Sequence, residues 1–109
     1  MDFEKIKVTT MTQVDDEVQM LIEDGGVTAH VSYNNEVYRE WLYLSYIYSS
    51  VKFVGHGTKF MTKLKEWARE KGHKGIFLWM EGEHLLHFYT KNGFMEREDG
   101  FYFIEFNQN

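Results

Sequence analysis

Apolar and polar residues alternate weakly over residues 4–11, EKIKVTTM, which suits an edge strand. Two further alternating runs, 17–23 EVQMLIE and 26–33 GVTAHVSY, flank Asp24-Gly25. Asp-Gly accepts the positive φ of a tight hairpin turn, so these runs are expected to pair. Asn34-Asn35 marks the next turn. Residues 41–48, WLYLSYIY, are rich in aromatic and branched residues and read as a central strand buried on both faces. The period then changes. Phe60, Leu64, Trp67 and Ala68 fall at i, i+4, i+7 and i+8, with Met61 beside them and Lys59, Lys63, Glu66 and Glu70 opposite. This predicts an amphipathic helix over 58–71, with Arg69 and Lys71 in its last turn and Gly72 as its stop. A short apolar run, 75–80 GIFLWM, reads as a second buried strand, and 83–92 as a short helix with Leu85, Phe88 and Tyr89 on one face, ended by Gly93. After Asp99-Gly100, the tail FYFIEF at 101–106 reads as a last strand.

The predicted order is β-β-β-β-α-β-α-β. Strand, helix and strand over 41–80 form a βαβ unit, with parallel strands and a right-handed crossover. The remainder is hairpin-rich. The expectation is one α+β domain over 1–109, three-layer α/β/α-like, with a mixed, mostly antiparallel central sheet containing one parallel βαβ unit.

Composition narrows the function. Apolar residues make up 43% of the 109, enough for a packed core rather than a disordered chain. No cysteine is present, which removes disulfides, thiolate metal sites and a thiol nucleophile. The net charge of -5 argues against nucleic acid, since phosphate neutralisation needs a basic excess; it mildly favours a cationic partner through long-range steering, or equally serves solubility alone. No apolar run approaches a membrane span, and MDFEKIKVTT has no signal-peptide core, so a cytoplasmic protein away from membranes is expected. The edge strands and the FYFIEF tail leave room for a homodimer.

Between the strand at 41–48 and the helix at 58–71 lies VKFVGHGTKFM, with Gly55 and Gly57 one residue apart. The first N–H groups of a helix have no internal partners, the helix dipole adds positive character, and glycine lets an anion approach closely. By this logic the amides from Val54 to Thr58 can cradle a pyrophosphate, with Lys52 and Lys59 adding charge. Spacing excludes two alternatives. A dinucleotide fingerprint requires glycine where Phe60 stands, and Phe60 and Thr62 break the P-loop pattern. A bare G-x-G is equally compatible with a turn that holds nothing.

A second segment changes the balance. His87-Phe88-Tyr89-Thr90-Lys91-Asn92-Gly93-Phe94 follows the second buried strand. Taken with Lys52-Phe53-Val54-Gly55-His56-Gly57, it resembles the GNAT family, the Gcn5-related N-acetyltransferases. That family carries Gln/Arg-x-x-Gly-x-Gly/Ala at a strand-to-helix junction and later an approximate FYxKxGF. Lysine stands in the first place of the first motif here. The resemblance covers about residues 41–106, and the first 40 residues are short for the usual N-terminal helical region.

What the resemblance implies is specific: a GNAT-like acyl-CoA N-acyltransferase fold, acetyl-CoA as co-substrate, and a primary amine of a small molecule or protein as acceptor, attacking the thioester directly. The pyrophosphate then maps to Val54, Gly55, His56, Gly57 and Thr58, with Lys52 and Phe53 at the edge. The pantetheine arm pairs with about Ser45, Tyr46 and Ile47, and the N–H of Ile47 polarises the thioester carbonyl. Tyr89 matches the tyrosine that donates a proton to the leaving thiolate. Its other reading is a core tyrosine beside Leu85 and Phe88. The family's glutamate base falls at Trp41, with Glu40 one residue off and so on the opposite face. Glu81 is the first-ranked base, ahead of Glu83, His84 and His30. Gly82 stands where the family often has a cofactor-contacting Asn or Ser. His84, His87 and Glu83 do not match known metal-site spacings, so no metal is expected. The competing reading is a GNAT-shaped module that binds CoA or a protein partner without turnover.

Overall fold

The computed structural model describes residues 6–34, 40–49, 56–80, 82–83 and 85–106, His56 by its backbone alone. The elements run β1 (Lys7–Val14), β2 (Glu17–Asp24), β3 (Val27–Asn34), β4 (Trp41–Ser49), α1 (His56–Glu70), β5 (Gly75–Trp79), α2 (Leu86–Lys91), β6 (Met95–Glu98) and β7 (Phe101–Glu105). Seven strands form one sheet in the order β1-β2-β3-β4-β5-β7-β6. All these neighbours are antiparallel except β4 and β5, the pair joined through α1. This is the mixed sheet with one parallel βαβ unit that the sequence predicts.

The differences in detail have physical reasons. The β2–β3 turn is centred on Gly25-Gly26, both with positive φ, one residue later than Asp24-Gly25, and Asp24 pairs with Val27. The β1–β2 hairpin turns through Asp15 at φ 54°, which an aspartate tolerates through local hydrogen bonding. β6, MERE, is exposed at every position and so lacks any apolar period by which to be recognised. β4 is central but not buried on both faces. Leu42 and Leu44 are fully buried, whereas Tyr46 and Tyr48 are 51% and 63% exposed.

The described residues build the sheet and one helical layer. Phe60, Met61, Leu64 and Ala68 of α1 pack with Val18, Met20 and Ile22 of β2, Val27, Ala29 and Val31 of β3, Leu42 and Leu44 of β4, and Ile76 and Leu78 of β5. Tyr89 and Phe94 join the same cluster from the α2 region. Each fully buried Leu or Phe contributes about 1.5–3 kcal/mol before the entropy of ordering it is counted. A part-buried ion pair, Lys63 Nζ to Asp24 Oδ2 at 2.7 Å, ties α1 to the β2–β3 turn.

Both helices end in the same way. At α1, the N–H of His73 donates to Ala68 O and that of Gly72 to Arg69 O. At α2, Phe94 N–H donates to Tyr89 O and Gly93 N–H to Thr90 O. These are the paired 6→1 and 5→2 bonds of a Schellman cap, which need a left-handed residue after the helix. Gly72 and Gly93 supply it at φ 91° and 99°. In α2 the accompanying apolar contact is Tyr89 against Phe94, with ring centroids 5.6 Å apart.

Candidate functional site

The parallel pairing of β4 and β5 is short. Trp41, Leu42 and Tyr43 pair with Gly75, Ile76 and Phe77, and the ladder stops there. Beyond it β4 stays with β3 as far as Ser49, while Leu78 and Trp79 of β5 stay with Tyr102 and Phe101 of β7. A gap therefore opens between two strands that are each held from the other side. It coincides with a β-bulge. His30 pairs with Tyr46 and Val31 with Leu44, leaving Ser45 as the extra residue. A bulge bends its strand and increases its twist, which turns β4 away from β5.

A cavity of about 250 Å³ lies at this gap, lined by Tyr43, Ser45, Tyr46, Ile47, Trp79, Met80, Leu85 and Tyr89. The structure thus brings together four of the residues singled out from sequence: Ser45, Tyr46, Ile47 and Tyr89. The lining comes from both faces of the sheet. Ile47, Leu85 and Tyr89 pack against the helical-side core. Tyr46 and Tyr43 stand opposite His30 and Ser32 on the other face, and Trp79 opposite Phe101.

Tyr89 is 4% exposed, and burial pushes its phenol up to about 12 by withholding the water that would stabilise a phenolate. Its position is fixed three ways. Its N–H donates to Leu85 O, its carbonyl accepts from Phe94 and Asn92, and its ring meets Phe88 edge-on at 5.2 Å as well as Phe94. The α2 C-terminus is tied in turn to α1. Lys65 Nζ donates to Asn92 O at 2.5 Å, and Asn92 Nδ2 donates to Phe88 O at 2.8 Å. Burial lowers the Lys65 ammonium below its ordinary value.

Of the glycine stretch, Lys52, Phe53, Val54 and Gly55 lie outside the described residues. His56, Gly57 and Thr58 form the first turn of α1, so the helix starts two residues earlier than the periodic pattern suggests. No acidic residue sits in that turn, so its unpaired N–H groups face no carboxylate of their own segment. Gly57 also has a steric role. A Cβ there would lie 3.0 Å from Phe88 Cε1 and 3.2 Å from Cζ. The two motifs, far apart in sequence, touch through this contact.

The base candidates divide. Glu81 and His84 lie outside the described residues. Glu83 is exposed. Glu40 forms a 3.0 Å ion pair with Lys74, and its carbonyl accepts from Lys74 N, at the end of β4 remote from the gap. His30 stacks on Tyr46 at 5.5 Å, and its Nδ1 is buried without a hydrogen-bond partner among the described residues. Among those residues no group of three metal-binding side chains converges, and no helix is long and apolar enough to cross a membrane.

Sequence reasoning missed Trp79, expected in the core and instead 45% exposed at the cavity rim, as well as Tyr43, Met80 and Leu85 in its lining. The alternation of GIFLWM carries the signal for Trp79: two residues on from Phe77, it must share that residue's face.

A mixed seven-stranded sheet, opened between its parallel strands β4 and β5, has the topology of the GNAT fold. The chain belongs to the acetyltransferase (GNAT) family, whose model matches residues 8–94. Among solved structures it is similar to a presumed acetyltransferase from Agrobacterium tumefaciens, with a TM-score of 0.62 and 18% identity over 84% of this chain and 77% of that one. The GNAT domain of S. lividans PAT has a TM-score of 0.58 and 17% identity over 87% and 64%. An acetyltransferase from Bacillus cereus ATCC 14579 has 0.58 and 20% over 88% and 73%. At these identities the likeness speaks to the fold. No curated protein matches the chain.

Proposed function

We propose that the chain is an N-acetyltransferase that moves the acetyl group of acetyl-CoA to a primary amine. The observation that carries this reading is the gap beside Ser45, Tyr46 and Ile47, where β4 loses its β5 partner next to buried Tyr89. A strand edge without a partner suits the amides of a pantetheine arm, which would add to β4 as an extra strand does. The first turn of α1, with Lys52 and the preceding glycine stretch, suits the pyrophosphate.

In this reading acetyl-CoA supplies an activated thioester. The backbone N–H of Ile47 donates to the carbonyl oxygen and stabilises the charge developing there. The acceptor amine forms the new C–N bond as the C–S bond breaks. The amine gives up one proton to its acceptor and the departing thiolate takes one from solvent, so an amide and free CoA thiol result. Tyr89 donates a hydrogen bond to the departing sulfur. Glu81 is the proposed proton acceptor for the amine. The net charge of -5 favours an acceptor that arrives as a cation.

The alternative, a module that holds CoA without turnover, draws on two observations: Glu40 is engaged by Lys74, and Gly82 offers no side chain to the cofactor. Thermal unfolding with acetyl-CoA tests both. A ligand at about a hundred times its Kd stabilises the native state by about 2.7 kcal/mol, an upward shift of roughly 10 °C for a domain this size. No shift at millimolar acetyl-CoA refutes both readings. A shift with no thiol release from any amine leaves the binding module.

A further inference from the structure

The outer face of the sheet carries rings on adjacent strands. Phe77 packs on Phe103 at 5.5 Å and on Tyr43 at 5.0 Å, and Trp79 on Phe101 at 4.8 Å. At one end of this array Trp41 meets Phe103 edge-on, and the Arg97 guanidinium lies 5.7 Å and 5.3 Å from their ring centroids, held by Glu105 at 3.0 Å. That end is capped. The other end is the rim of the cavity, where Tyr43, Tyr46 and Trp79 stand around the gap and Trp79 and Tyr46 are about half exposed. Trp79 is exposed yet fixed. Its ring lies where a Cβ on Gly100 would fall, 2.5 Å from Cζ3, and meets Phe101 edge-on at 4.8 Å. An exposed tryptophan wedged in one orientation is a preformed wall, so little ordering entropy is lost when a flat group packs on it.

We propose that the acceptor is a monoamine carried on an aromatic body, an aralkylamine, bound with its ring against Trp79 and Tyr46 and its nitrogen directed into the gap. The inference rests on the acetyl-transfer reading above. There the helical side, with Tyr89 and the first turn of α1, belongs to acetyl-CoA, which leaves the aromatic face as the approach for the amine. The ring walls recognise such a molecule twice, by stacking with its body and by attraction of its ammonium to their faces during entry. The described lining of the cavity is composed of Tyr, Ser, Ile, Trp, Met and Leu. A polyamine or a lysine side chain offers no ring to these walls and so forgoes the stacking contact.

The test compares 2-phenylethylamine, tryptamine, spermidine and Nα-acetyl-lysine amide by thiol release with acetyl-CoA. The expected result is a kcat/KM for the two aromatic amines at least about tenfold above the other two. Trp79→Ala raises KM for 2-phenylethylamine about tenfold and erases the preference, while Trp79→Phe retains it. Saturation-transfer NMR with 2-phenylethylamine and CoA, free of turnover, shows ring contact in the wild type and in Trp79→Phe and loses it in Trp79→Ala. Preference for spermidine or the lysine amide, or equal effects of Trp79→Ala on all four amines, overturns the inference. If that occurs with an acetyl-CoA thermal shift intact, acetyl transfer stands and only the acceptor class falls. No shift and no turnover with any amine overturns both.

Discussion

Tyr89→Phe removes one oxygen from a buried side chain fixed by Phe88 and Phe94, which makes its effects calculable. With its phenol pushed up to about 12, full transfer of its proton to a thiolate of pKa about 8.5 is uphill by about 3.5 units, or about 5 kcal/mol. In the proposed acetyl transfer Tyr89 is therefore assigned the role of a hydrogen-bond donor that keeps its proton. A bond from a neutral donor to a developing anion contributes about 1.5–3 kcal/mol. Its loss lowers kcat about 10- to 150-fold, with the acetyl-CoA thermal shift retained. Stability gives an independent readout. Below about pH 10 the phenol is neutral in the folded and unfolded chains and contributes no slope. From about pH 10 to 12 the unfolded chain releases this proton while the folded chain keeps it. Wild-type stability then falls by up to about 2–3 kcal/mol from this group and levels off above its folded pKa. Urea unfolding of the wild type and the Tyr89→Phe variant between about pH 8 and 11.5 isolates the contribution, because the other ionisations are shared. A stability difference between the two proteins that stays flat above about pH 10 refutes the burial argument. An unchanged kcat refutes the assigned role.

Two other substitutions test the scaffold. Gly75→Ala places a Cβ 2.2 Å from the Ile104 carbonyl oxygen and 2.6 Å from Trp41 Cζ3. Backbone on the paired strand cannot yield, so urea unfolding should show a loss of about 3 kcal/mol or more. Gly93→Ala puts an L side chain at φ 99° with Cβ 2.9 Å from Ile104 Cδ1. The flexible tip of Ile104 can move but the backbone strain remains, costing about 1–3 kcal/mol, or about 4–8 °C of midpoint per kcal/mol in a thermal melt.

The parts legible in the sequence are those with a local cause. The period of Phe60, Leu64 and Ala68 identifies α1 because a helix must turn that face to the sheet, and all three are buried. Gly72 and Gly93 mark helix ends because the Schellman cap needs a positive φ. β6 is illegible because MERE at an exposed edge has no buried face to imprint a period. The bulge at Ser45 is illegible for another reason: it is a property of the β3–β4 register, and no residue in WLYLSYIY announces it. Trp79 misleads because a tryptophan in an apolar run resembles core, whereas its face is set by its partner Phe101 across the ladder.

The two recognisable motifs prove to describe scaffold as much as chemistry. Gly57 leaves clearance for the Phe88 ring. In the second motif Tyr89, Gly93 and Phe94 occupy the third-last, left-handed and following positions of one helix cap, so three of its letters serve to hold the tyrosine still. A catalytic route that relies on a backbone N–H and one buried hydroxyl needs this geometry more than it needs particular side chains. That is why short motifs suffice to suggest an acyl donor, as proposed above. The acceptor has no such constraint. In the proposed reading it meets side chains on the far face, contributed by β4 and β5 from positions that only the register brings together. Tyr43, Tyr46 and Trp79 form no motif along the chain, yet around the gap they are neighbours, and the proposed choice of amine rests on them.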